Sequence, residues 1–272
     1  MNERTRVQKG RYELLGAPRS RELLSLAPWR GRPNEGATRL IDPRDLVLVR
    51  IGGAAMLLFV PMLIVGVVLY GQVGMNSQST GLEAIRKIAD ARPVFAIMNA
   101  LFHLSPLLFV PAAAAVFIAL RGQGRDGWLL MGTGFIVVTV VVGAGMTFSL
   151  NQGLLRLASG LATAAAEQQA AAAEAAEMNL GIQTGVELVQ SVGIGLWLLS
   201  ISIAGISAEW PAWLTYLGLA SGVGMLAAGL SSILFTVPIV GPVLAGVGGL
   251  GLLLFAIWVV ATGLRLLTTS AS

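Results

Sequence analysis

The chain has 272 residues, of which 55% are hydrophobic and only 12% charged, and its formal net charge is +4. Soluble domains carry about a quarter charged residues, so this composition, with a mean hydropathy of +0.77, is that of a polytopic membrane protein. There is no cysteine and one histidine, which excludes disulfides, thiolate chemistry, iron–sulfur clusters, bis-histidine haem and histidine-cluster zinc sites.

Residues 1–46 form a polar tail rich in Arg, Pro and Gly. Eleven of the eighteen Lys and Arg residues lie within the first fifty positions. The tail is too long for the n-region of a signal peptide, and no small-residue cleavage site follows the first apolar run, so no cleaved signal is expected. Ser20 is placed to cap a short helix over residues 21–27, with Leu23, Leu24 and Ala27 on one face. Leucines and Trp29 set among Arg19, Arg21, Arg30 and Arg32 suit the surface of an anionic leaflet. The alternative is a tail without fixed structure. A pI near 10.1 raises nucleic acid as a partner, but a basic tail beside a span finds its simpler partner in anionic headgroups, and none is expected from nucleic acid.

Six apolar runs follow, at 47–70, 94–119, 128–150, 180–206, 212–235 and 239–266. Each is long enough to cross a bilayer as a helix, which gives an all-α, six-helix transmembrane bundle over residues 47–267. With the N-terminus inside, cytoplasmic segments hold the eleven basic residues of the tail plus Arg121, Arg125 and Arg265. The outer side holds Arg86, Lys87, Arg92 and Arg156. The imbalance places both termini in the cytoplasm of a bacterial inner membrane.

Two outer segments are more than turns. Gly81–Asp90 has the period of an amphipathic helix, with Leu82, Ile85 and Ile88 on one side and Glu83 facing Lys87 at i,i+4. Residues 151–179 form an Ala-rich outer loop with an apolar stripe (Leu154, Leu157, Leu161) and an acidic one (Glu167, Glu174, Glu177). Alanine has the best helix propensity, so a helical hairpin or cap over the outer face is expected, against the alternative of a flexible Ala/Gln linker.

The fourth run contains Glu187. Gln183, Glu187, Gln190 and Ser191 stand at i, i+4, i+7 and i+8, giving the helix one polar face. A carboxyl at that depth costs several kcal/mol, about 2.5–3.5 on insertion scales, unless it is neutral, paired or facing water. In the second run Asn99 and His103 stand at i and i+4. Counting about 1.5 Å per residue from the outer boundary, His103 lies about 13 Å deep and Glu187 about 10 Å. The two therefore share a layer, and a contact between them, direct or through water, is open to them. One reading is an outward-opening cavity with Glu187 as proton or cation acceptor, lined by His103, Asn99, Gln183 and Gln190. The other is an interhelical hydrogen-bond cluster that only holds the bundle together.

Pro106, three residues past His103, removes the donor that would reach the Phe102 carbonyl and leaves an acceptor beside the imidazole. Gly218, Gly222, Met225 and Gly229 trace one side of the fifth run, and Gly241, Ala245 and Gly249 one side of the sixth. Such rows let helices approach closely. Gly246, Gly248 and Gly251 have the spacing G-x-G-x-x-G, but in an apolar span without a preceding strand this is not a nucleotide fingerprint.

Gly195-Leu196-Trp197-Leu198, then Pro211, Leu217-Gly218 and Gly222, the terminal Gly263-Leu264-Arg265-Leu266 and the early Arg50-Ile51-Gly52-Gly53 carry a resemblance. The chain resembles, over most of its length after the tail, an uncharacterised bacterial family of multi-spanning integral membrane proteins. That resemblance implies architecture and no activity. With no catalytic set, the first functional expectation is a non-enzymatic binding or accessory component of a membrane assembly, with a membrane-protein partner or a second copy of itself. The second is a proton-coupled small-solute transporter using Glu187 and His103, and an integral-membrane enzyme comes third. No cofactor and no metal are expected.

Overall fold

The computed structural model describes residues 42–74, 79–208, 210–234 and 237–269. The tail helix and its lipid-facing residues Arg19, Arg21, Trp29, Arg30 and Arg32 lie outside these. Among the described residues all regular structure is helical, and six helical segments are long and apolar enough to cross a membrane.

The first, α1 (Pro43–Val73), starts where Asp42 accepts a hydrogen bond from the Arg44 amide at 2.8 Å and Pro43 takes the first helical position, as caps and prolines favour. It stops at Gly74 in the left-handed region, φ 72°. Thr80 caps the amphipathic α2 (Gly81–Asp90), which buries Ala84, Ile85 and Ile88. Lys87 meets Glu83 at 2.5 Å as the i,i+4 spacing requires.

The second crossing is a broken helix: α3 (Arg92–Leu104), a 3-10 turn (Ser105–Leu108) and α4 (Phe109–Leu120). Pro106 causes the break. The carbonyl it frees is not left open, because the Ser105 hydroxyl donates to the Phe102 oxygen at 3.2 Å. The expected bare acceptor beside His103 is thus already occupied.

The third and fourth crossings overrun the bilayer. Helix α5 (Asp126–Gly160) has 35 residues and α6 (Ala166–Ser207) has 42, or about 52 and 63 Å against a hydrocarbon core of about 30 Å. Residues 151–179 form the expected helical hairpin and not a flexible linker, and its two arms are continuous with the third and fourth spans, turned back through a short 3-10 segment, Leu161–Thr163. Nothing between 151 and 160 breaks a helix, and the alanines from 170 to 176 favour one.

The remaining crossings are α7 (Ala212–Leu234) and α8 (Val240–Thr268). Between them Val240 donates to the Pro238 carbonyl at 2.8 Å around Ile239, whose φ of 69° is strained for a β-branched residue.

In cross-section α1 packs between α8 and the α3–α4 pair. α5 follows, then α6 and α7, and α7 returns to α8. One end of the bundle holds both the start of α1 and the end of α8. Asp45 there pairs with Arg121 at 2.5 Å, and the Arg265 guanidinium lies over the Trp210 ring. This is called the tail end below, and the end carrying α2 the cap end.

Two cores result. The larger is aromatic and fills the middle and tail half. Phe109 sits against Phe59 (4.6 Å between ring centroids), Phe255 (5.6 Å) and Trp197 (5.7 Å), and Trp197 meets Trp258 edge-on. Phe109 and Phe255 are stacked and the other pairs edge-to-face; aromatic pairs of either kind contribute roughly 0.5–1.5 kcal/mol each, which matters in a bilayer where burial alone drives little. The smaller core, at the cap end, joins Val73, Ile85, Ile88, Phe95, Met98, Leu154 and Leu161.

Close approaches hold the helices together. Gly52 of α1 lies against Ala115 and the Pro111 carbonyl of α4, and Gly53 lies against Gly263 of α8. Gly218, Gly222 and Gly229 of α7 all face α6, as their spacing anticipates. The expected row on α8 is displaced: Ala245 is exposed and Gly249 meets nothing, while Gly248 and Gly251 abut Ala228 and Gly224 of α7. The seam uses two glycines of the G-x-G-x-x-G string, one helical step round from the row expected.

Candidate functional site

Contacts along α5 fix the heights of the polar groups. The Asn99 amide donates to the Phe148 carbonyl at 3.4 Å, the Gln190 side chain fills the notch left by Gly143, and Asn179 donates to the Leu150 carbonyl at 3.2 Å. Phe148 is thus level with residues 183–184 of α6. His103, four residues and about 6 Å further in, is level with Glu187. The shared layer read from the sequence is present.

The facing is different from that expected. His103 and Asn99 are buried, with the imidazole edge-on to Phe102 at 5.0 Å. Asn99 Oδ1 is buried without a partner. Among the described residues Glu187 forms neither a hydrogen bond nor an ion pair with His103; its carboxylate accepts from Gln183 Nε2 at 3.1 Å. Gln190 belongs to the α5 seam rather than to Glu187. The five residues therefore separate into a Gln183–Glu187 pair, an Asn99–His103 pair on α3 and a packing glutamine.

Where Glu187 points follows from the two seams of α6. Asn179, Gln190, Gly193 and Ser200 face α5; Leu188, Val192, Gly195 and Ser202 face α7. Between them are two flanks. One carries Ile182 and Val189, which are 42% and 59% exposed and face outward. The other carries Leu198, wholly buried in the aromatic core. Glu187 precedes Leu198 by eleven residues, three turns of helix, and shares its azimuth to within about 20°. Its side chain is directed at the bundle interior and is nonetheless exposed, although protein surrounds it on most sides. An interior-facing group that stays accessible calls for a gap between α6 and the helices opposite it.

The neighbouring helices leave room for one. α6 packs against α5 and α7, with α2 over its cap-end part, and makes no comparable contact with α1 or α3. α1 and α8 meet in the tail half, through Gly53 with Gly263 and Phe59 with Phe255. Capward of Phe255, the buried positions of α8 are Gly251, Gly248 and Gly241, and the first two face α7. On α1, Val67 and Val68 are exposed over the same stretch. Among these positions neither helix buries a side chain against the other on the cap side of the aromatic core.

Tyr70 of α1, half-buried, is within electrostatic range of Glu187. Sequence reasoning missed it, because a tyrosine near the end of a span carries the ordinary signal of an interfacial anchor. Chemically Glu187 and Gln183 offer one carboxyl and one primary amide, with the Tyr70 phenol in electrostatic range and, among the described residues, no salt bridge to the acid. A carboxyl and a neutral amide are groups able to accept a proton or a small cation. Among the described residues no three His, Cys, Asp or Glu side chains group to hold a metal ion.

The chain matches no protein-family model, no curated protein and no solved structure.

Proposed function

We propose that this is a non-enzymatic, multi-pass protein of the bacterial cytoplasmic membrane, with both ends cytoplasmic, that binds a proton or small cationic solute from the outer side at Glu187. In a proton-coupled transporter this would be the outward-open state. The supporting observation is that Glu187 is exposed on the flank of α6 that, eleven residues on, is buried in the core. An intramembrane carboxyl in such a place is functional by default, because it is costly to keep otherwise. The excess of Lys and Arg on the tail side supports the orientation, and the basic tail would add affinity for anionic headgroups.

A second reading, an accessory component of a membrane assembly, is favoured by a different observation. The paired extensions of α5 and α6 stand clear of the bilayer and present Met178, 67% exposed, as a surface for a partner protein or a second copy.

Because the native chain has no cysteine, Gln183→Cys gives a single reporter beside Glu187. In right-side-out vesicles a cationic methanethiosulfonate should label it several-fold faster than an anionic one, and Glu187→Gln should remove that preference. Absence of labelling by either water-soluble reagent would mean a dry layer and end the binding proposal in favour of the accessory one.

A further inference from the structure

On the orientation proposed above the cap end is the outer side, where basic residues run against the usual charge distribution of membrane proteins, and this chain has four there: Arg86, Lys87, Arg92 and Arg156. Lys87 is paired with Glu83 at 2.5 Å, and Arg86 lines a separate hollow of about 370 Å³ whose lining includes the acidic Asp90. The other two converge. Arg92, at the first position of α3, and Arg156, on the extension of α5, line one open cleft of about 650 Å³ with Gln152, Leu155 and Ala96, and no acidic residue lines it. Among the described residues neither arginine forms a salt bridge.

We propose that this cleft binds a phosphate group carried on an outer-leaflet lipid. Two guanidinium forks recognise a phosphate bidentately, which a lysine cannot do, and the Gln152 amide can donate to it as well. Ala91 offers no side-chain cap to α3, so the positive end of that helix adds to the field at the cleft. Arg92 begins a spanning helix and so lies at headgroup depth. Level with it is Leu155, and below it the apolar wall of the cleft at Ala96 adjoins Ile97, 55% exposed on α3. A free phosphate would use only the upper half of that surface; a phospholipid uses both. The assignment is independent of the site proposed at Glu187, which takes the opposite charge.

The full chain in nanodiscs, or in detergent for native mass spectrometry, is titrated with phosphatidylglycerol and with phosphatidylcholine. Phosphatidylglycerol should bind preferentially, and Arg92→Gln with Arg156→Gln should weaken it at least roughly tenfold. Lys87→Gln, which removes one positive charge from a side chain already paired, should leave it unaltered. The basic tail attracts anionic lipid equally in all these proteins, so the difference between variants isolates the cleft. Should the double glutamine variant fail to fold, Arg92→Lys with Arg156→Lys keeps the charge, loses the fork and should lie between. Equal binding by the double variant and the native chain overturns the site. Displacement by soluble glycerol phosphate at the lipid's own concentration overturns the lipid as its source.

Discussion

Glu177 of α6 accepts a hydrogen bond of 2.6 Å from the backbone amide of Gly81, ninety-six positions earlier, where α2 begins. The carboxylate lies at a helix N-terminus, where unpaired amides and the helix dipole favour negative charge. Gly81 makes the approach possible, because a Cβ there would collide with the Ala173 carbonyl and the Glu177 amide. α2 is thus pinned to the extension of α6 by one side chain and one missing methyl.

Gly81→Ala should therefore displace α2, at a cost of about 1–3 kcal/mol. Glu177→Ala, which removes only the cap, should cost about 1 kcal/mol. Thermal unfolding in detergent measures both, and amide exchange over Gly81–Asp90 shows where the loss falls. Equal stability of Gly81→Ala and the native protein would mean that the cap end does not hold α2 this closely.

The exposed pair on α2 sets a pH dependence of known sign. Lys87, by its hydrogen bond and its charge, holds the Glu83 carboxyl below its ordinary range. A depressed carboxyl contributes stability that is complete above the unfolded value, about 4.3, and is lost as pH falls through the folded one. The effect is small, because the pair is solvated and screened by salt. Amide protection of α2 in Lys87→Gln should be slightly below that of the native chain from pH 8 to 5. The two should converge below about pH 4. A difference that grows as pH falls would contradict the pairing.

Much of this was legible in the sequence, for physical reasons that differ by element. Run length and the absence of charge locate six helices long and apolar enough to cross, because in a bilayer each backbone polar group must be satisfied within the protein, as a helix does within itself. The period of Gly81–Asp90 and the Glu83–Lys87 spacing locate α2 and its ion pair. Counting residues places His103 and Glu187 in one layer because both spans start from the same surface. Azimuth was not legible: a polar face spanning Gln183 to Gln190 covers enough of the helix that Gln190 turns to α5 while Glu187 turns inward. The Ser105 hydroxyl that fills the Phe102 carbonyl was also missed, since a serine before Pro106 has several partners open to it. Tertiary neighbours, not spacing, decide such choices.

The same limit produces a test at the α7–α8 seam. Small-residue spacing makes Gly241, Ala245 and Gly249 as good a contact row as Gly248 and Gly251, and only the neighbour distinguishes them. A Cβ at Gly251 would meet the Gly224 backbone, and one at Gly248 would meet Ala228, whereas Gly246 and Gly249 face open space. In hydrocarbon, helices are held by such contacts and not by burial from water, so separating them is costly. Gly251→Ala and Gly248→Ala should each destabilise by about 1–3 kcal/mol through overpacking. Gly246→Ala and Gly249→Ala should be neutral or slightly stabilising, since alanine loses less backbone freedom than glycine, by roughly 0.5–1 kcal/mol. Thermal unfolding of the four variants in one detergent gives the ranking. If Gly249→Ala were the costly one, α8 would be rotated by about a quarter turn from the arrangement described. The gap proposed beside Glu187 would then have to be redrawn.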